Sequence, residues 1–136
     1  MGSIEPTPDQ LARLLGDTDD AAPIVMINLL RFRRAAAYAP GLDAAPCSGR
    51  EAYARYGAAV LPLLVRAGGR LVWRGSVGLV VVGPGDERWD EALLVEYPSR
   101  AAFIAMVSSE EYLRIGVHRT AALEDSRLIA TRAVAS

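Results

Sequence analysis

From Ile24 to Phe32 the chain is almost wholly apolar, rich in Ile, Val and Leu, and broken chiefly by Asn28. A run of that length and composition predicts a central strand covered on both faces. Downstream, Tyr53, Tyr56, Gly57, Val60, Leu61 and Leu64 recur at steps of three and four. That spacing predicts a helix beginning at Ser48 or Gly49, with Glu51 near its positive end. Pro62 is expected to bend it or to open its last segment, and Gly68 and Gly69 to end it. Arg70 to Gly83 reads as a second strand carrying Trp73, with Gly75 and Gly78 expected to mark a bulge or bend. Pro84-Gly85-Asp86 is a turn, and Trp89-Asp90 lead into a third strand, about Ala92 to Tyr97. Ser99 is expected to cap a helix that buries Phe103, Met106 and Val107. Ser108 to Glu111 reads as a capping box for a second short helix containing Tyr112. Ser126 to about Ala133 alternates well enough for a last strand. Residues 1–22 read as a lead-in: Thr7 caps a short helix from Pro8 to Leu15, which Gly16 and the acidic Asp17, Asp19 and Asp20 then break.

Strand, helix, strand, strand, helix, strand is the split βαβ order. It predicts an α+β domain over residues 23–136, ferredoxin-like βαββαβ, with a four-stranded antiparallel sheet. Two helices cover one face of such a sheet. The strands read as apolar on both faces, so the other face needs a cover as well. A second copy of the same sheet, related by a two-fold axis, is the economical one, and the pair is expected to enclose a small-molecule pocket.

Composition narrows the function classes. Acids and bases nearly cancel, 16 against 15, with no basic tract, so nucleic-acid binding has no electrostatic footprint. Every base is arginine. A GC-rich coding sequence accounts for that, as does guanidinium recognition of a carboxylate or phosphate. Cys47 is the only cysteine, which excludes an intrachain disulfide and fits a reducing compartment. The polar N-terminus and short apolar runs predict neither signal peptide nor membrane span, and a cytoplasmic protein is expected.

Several pieces together resemble a known family. They are Met26-Ile27-Asn28-Leu29-Leu30-Arg31-Phe32, Tyr53-x-x-Tyr56, Gly69-Arg70 and Trp73-x-Gly75. Trp89-Asp90, Glu96-Tyr97-Pro98-Ser99-Arg100, Phe103, Met106, Glu111-Tyr112 and the tail from Arg119 to Leu128 follow in order. Over residues 23–132 the chain is similar to the domain-of-unknown-function family 1330, in the dimeric α+β barrel superfamily. The resemblance implies the fold and a homodimer. Related families include monooxygenases, muconolactone isomerases, polyketide cyclases and haem-binding proteins, and fold analogy does not choose among them. The stretch 33–48 is longer than the family pattern.

Two polar residues stand out in apolar strands. A buried Asn28 amide needs partners. It either bonds a neighbouring group or aims into the pocket to polarise a carbonyl or enolate oxygen. Glu96, on a strand expected beside the first, can share a face with Asn28. It either works as an acid or base with a raised pKa, or pairs with Arg70, Arg74 or Arg127. Asn28 and Glu96 are therefore the catalytic candidates. Tyr53, Tyr56, Trp73, Tyr97 and Tyr112 are candidate pocket walls or plain core, and Arg31 or Arg70 can hold a substrate carboxylate. Trp89-Asp90 reads as a plug and a turn cap. His118, the only histidine, reads as a surface or helix-capping cation, with haem ligation as the alternative. One His and one Cys make no metal site, and no cofactor is expected. The readings that remain are a cofactor-independent isomerase, cyclase or monooxygenase on a small apolar or aromatic carbonyl compound, a non-catalytic small-ligand binder, a haem protein and a structural dimer.

Overall fold

A computed structural model describes residues 2–16, 21–42 and 44–135. Asp17, Asp19 and Asp20, the expected breakers of the first helix, lie outside them. The elements run α1 (Pro8–Gly16), β1 (Ile24–Phe32), α2 (Gly49–Arg66), β2 (Arg70–Ser76), β3 (Glu91–Tyr97), α3 (Arg100–Val107), α4 (Glu110–Ala122) and β4 (Leu123–Thr131). The strands form one four-stranded antiparallel sheet in the order β2-β3-β1-β4. This is the expected ferredoxin-like fold, with the last helical segment split into α3 and α4.

Local chemistry sets the boundaries. Thr7 and Gln10 close a reciprocal pair at the start of α1, each backbone N–H donating to the other's side chain. Ser48 does the same with Glu51 at the start of α2. Gly49 is tightly enclosed there: a Cβ would collide with the carbonyl oxygens of Arg33 and Ala122. Gly68, at φ 79°, turns the chain out of α2. Pro62 lies inside α2 without dividing it. The buried side of α2 is Ala52, Tyr53, Leu63 and Leu64, whereas Gly57 and Leu61, expected on the stripe, face solvent.

Further expectations need correction. The last strand runs from Leu123 to Thr131, not from Ser126 to about Ala133. The second strand ends at Ser76, not Gly83, because residues 77–83 leave the ladder after a single bond from the Val77 N–H to the Asp90 carbonyl. The register shift on β2 falls between Leu71 and Trp73, so the extra residue is Val72 and not a glycine. The cap of α4 is Ser109, which accepts from the Tyr112 N–H, rather than a box from Ser108 to Glu111.

The two faces of the sheet differ. Ile24, Met26 and Leu30 on β1 and Leu93 and Tyr97 on β3 are buried under the helices. Leu63, Leu64, Phe103 and Met106 pack at one end of this layer, and Ala52, Tyr53, Ala122 and Leu123 at the other. On the opposite face Val25, Ile27 and Leu29 alternate with them and pair across to Glu96, Leu94 and Ala92. Among the described residues no element lies over that face, and Trp73 and Ile129 on it stay 53% and 47% exposed. Beyond β2, Leu79, Val81 and Val82 are 77%, 83% and 92% exposed.

Candidate functional site

The polar groups of the helix-covered face converge around three tyrosines. Tyr53 and Tyr56, one turn apart on α2, have ring centroids 5.3 Å apart, and Tyr56 meets Tyr112 of α4 edge-on. The Tyr56 and Tyr112 hydroxyls are hydrogen-bonded at 2.9 Å, and either can be the donor. Burial pushes the Tyr53 phenol up to about 12. It pushes Tyr56 well above the usual tyrosine range, with Tyr112 adding to the shift. Arg119 pulls both back towards ordinary values, which places its positive charge near the two phenols. At neutral pH Tyr53 and Tyr56 are therefore uncharged hydrogen-bond donors, not bases.

Tyr112 and Arg119 also form part of the wall of a cleft of about 310 Å³, between α4 and residues 37–42. Ala37, Leu42, Gly116 and Val117 make it largely apolar, and Glu5 closes one side. One Arg119 nitrogen donates to the Ile4 carbonyl at 2.9 Å. The cleft thus combines an apolar wall with Arg119 and Tyr112, and Tyr56 touches it only through its hydrogen bond to Tyr112.

The long connection 33–48 is pinned from both sides. Arg33 and Ala37 donate backbone bonds to the carbonyls of Ala122 and Ala121, and Ala36 donates to Cys47. The Tyr38 hydroxyl lies 2.7 Å from His118 Nδ1 and accepts from Arg55 at 3.2 Å. This overturns the capping role expected of His118, which is partly buried and lies within α4, four residues before its last. Burial lowers its pKa, and the Arg55 charge lowers it further. Tyr38 and His118 are 80 positions apart, and no periodicity links them.

The catalytic pair expected from the sequence is separated. Asn28 stands opposite Leu93 and Glu96 opposite Val25, so they lie on opposite faces of the sheet. Adjacent strands were expected correctly, but an odd offset along the ladder reverses the face. Asn28, on the helix-covered side, donates to the carbonyl of Met26 in its own strand at 3.3 Å. Glu96 pairs with Arg70 at 3.0 Å across the uncovered face, the ion-pair alternative. Arg31 is held by Glu124 and Asp125. Trp73 lies half-exposed on the uncovered face, and Tyr97 packs against Phe103 in the core. Of the candidate residues, the structure brings together Tyr53, Tyr56 and Tyr112.

Trp89 is buried, with the guanidiniums of Arg31 and Arg127 5.9 Å and 5.0 Å from its ring centre. Trp89 is thus the expected plug, whereas the Asp90 carboxylate accepts from the Phe32 N–H at 2.8 Å and ties β3 to β1 instead of capping a turn. Sequence reasoning missed Glu91 and Arg119. Glu91 is buried on the helix-covered face, gripped by two Arg74 nitrogens at 2.9 and 3.2 Å and by Arg50 at 3.2 Å. Its position at the start of an apolar strand was the available signal. Among the described residues no three His, Cys, Asp or Glu side chains gather closely enough to hold a metal. None of their helices is long and apolar enough to cross a membrane.

The family model described as a domain of unknown function (DUF1330) matches residues 46–133. The chain belongs to the DUF1330 family. A crystal structure of a protein of unknown function from Rhodopseudomonas palustris is 42% identical over 100% of both chains, with a TM-score of 0.89. Two distant structures show the fold alone. One is a hydroxynitrile lyase from Passiflora edulis, 14% identical over 85% of this chain and 97% of its own, with a TM-score of 0.56. The other is a dimeric ferredoxin-like protein of unknown function from Bacteroides fragilis, 16% identical over 81% and 95%, with a TM-score of 0.51. No curated protein matches this DUF1330 sequence.

Proposed function

We propose that this DUF1330 protein is a homodimer whose subunits each bind a small apolar or aromatic, carbonyl-bearing compound in the cleft beside α4, and that it transforms this compound without a cofactor. The carrying observation is the Tyr56–Tyr112 hydroxyl pair at 2.9 Å, with Tyr112 and Arg119 on the cleft wall. Phenol hydroxyls beside a guanidinium suit the donation of hydrogen bonds to a developing oxyanion or enolate, and Arg119 suits a substrate carboxylate. Arg119 takes the part expected of Arg31 or Arg70, both of which are engaged with carboxylates. That a hydroxynitrile lyase shares the fold supports an enzyme; non-catalytic binding in the same cleft is the second reading.

The dimer reading rests on area. The chain exposes 8734 Å², against roughly 6,900 Å² for a compact monomer of its mass. The surplus is about 1,800 Å² per subunit, within the range of a large permanent interface. The uncovered face and the 77–83 segment supply apolar surface for it, and the Bacteroides fragilis structure of this fold is dimeric.

Thermal-shift titration with a panel of aromatic aldehydes, ketones and keto acids tests the site. Carbonyl compounds should raise the Tm, Tyr112→Phe should weaken that response, and Arg119→Gln should abolish the extra response to the acids. A panel response unchanged in both variants would remove the cleft as the site. Recovery of the bound compound chemically unaltered would select the binder over the enzyme.

A further inference from the structure

A second hollow, of about 440 Å³, opens at the end of the sheet where β1 leaves, β3 and β4 begin and α2 starts. Four arginines border it: Arg33 and Arg34 after β1, Arg50 in the first turn of α2, and Arg88 ahead of β3. The carboxylates in its wall are Asp90 and Glu124. Asp90 is occupied by the Phe32 N–H, while Glu124 lies 3.0 Å from Arg31 and 3.7 Å from Arg88. Among the described residues no carboxylate comes within ion-pair distance of Arg33 or Arg34. The border thus holds two positive charges beyond its carboxylates in a chain of net charge −1.

The fold brings these cations together from three stretches of chain against their mutual repulsion. Ser48 borders the same space at the start of α2, where the Ser48–Glu51 box and the Gly49 N–H to Arg33 carbonyl bond close the helix end, so the positive charge of the hollow comes from its arginines. The Arg50 guanidinium lies 4.8 Å from the Phe32 ring centre while one nitrogen bonds Glu91, so it is held in place from below. Guanidiniums arriving from several directions suit a tetrahedral dianion with acceptors on all sides better than a planar carboxylate. The hollow exceeds a bare phosphate, leaving room for an organic remainder beside Phe32.

We infer that this arginine-bordered hollow is a binding site for a small molecule carrying a phosphate-type dianion, separate from the tyrosine cleft. Calorimetric titration of the intact protein at low salt with phenyl phosphate, and in parallel with benzoate, tests it. Phenyl phosphate should bind about tenfold more tightly than benzoate, and Arg34→Ala/Arg88→Ala should weaken it by about tenfold. Arg13→Ala/Arg114→Ala, the same loss of charge from exposed sites elsewhere, should leave the affinity unchanged. Arg88→Gln alone, at a side chain 65% exposed, should give an intermediate loss and guards against misfolding of the double variant. Three results would each overturn the site: no heat up to about 10 mM phenyl phosphate, equal affinity for benzoate, or equal weakening by the two double variants.

Discussion

On the helix-covered face of the sheet, Ile24, Met26 and Leu30 are buried, and the ion at its edge, Glu91, has two arginine partners. One residue along the same strand, Val25, Ile27 and Leu29 point to the other face and stay partly exposed. The two sets are chemically alike, so hydrophobicity does not explain the difference; only one of them has helices packed over it. A strand that is apolar at every position specifies two covers, and a single subunit supplies one. The faces also divide the polar chemistry. The paired tyrosines lie on the helix side, while the uncovered side offers aliphatic surface with ion pairs such as Arg70–Glu96.

The largest effect expected from this contrast is on core truncation. Leu30→Ala should cost about 2–5 kcal/mol in urea unfolding, independent of protein concentration, because a fully buried side chain leaves a cavity. Ile27→Ala on the opposite face should instead cost an amount that shrinks on dilution. Equal, concentration-independent losses would erase the distinction between the faces.

Among the ion pairs, Glu91→Gln should cost about 2 kcal/mol, below the full penalty for a broken buried pair because Arg50 and Arg74 can rehydrate. Glu96→Gln, across the half-exposed Arg70 pair, should cost under about 1 kcal/mol. Chemical denaturation of both variants checks the order.

Alkaline pH probes the helix side. Burial raises the phenols of Tyr53, Tyr56 and Tyr97, so the folded state favours their neutral forms. Their contribution to stability is complete below the ordinary tyrosine pKa of about 10 and is lost as pH climbs through the raised folded values. Spectrophotometric titration should show these three tyrosines ionising late or together with unfolding. Five normal titrations would mean that the phenols are hydrated.

His118 should give the smallest effect, with the opposite pH sense. Its lowered pKa means that the unfolded chain binds the proton more readily. The stabilising contribution is present above about pH 6.5 and declines as pH falls through the folded value. An NMR titration should place its midpoint below 6.5, and Tyr38→Phe should change the chemical shift of the His118 ring.

Much of the fold was legible because short-range signals agreed with the long-range result. The apolar run 24–32 matched β1 end to end, and Ser48 and Ser99 capped the helices expected to follow them. The errors came where context decides. Residues 71–82 have strand composition, yet the ladder stops at Ser76 because no neighbouring strand in the subunit continues it. Tyr53, Tyr56 and Tyr112 were readable as candidates from type and spacing. The Tyr38–His118 bond and Arg119 were not, since they depend on how a long connection folds back over α4. Pairing Asn28 with Glu96 failed on register, which strand adjacency alone leaves undetermined.

Sedimentation velocity over a wide dilution range, on the native chain and on a Val81→Asp/Val82→Asp variant, bears most directly on the uncovered face. The account predicts a native dimer of twice 14.5 kDa, and a variant that dissociates at far higher concentration while keeping its helical circular dichroism. A native chain that stays monomeric and soluble at every concentration, its aliphatic face in water, would contradict it.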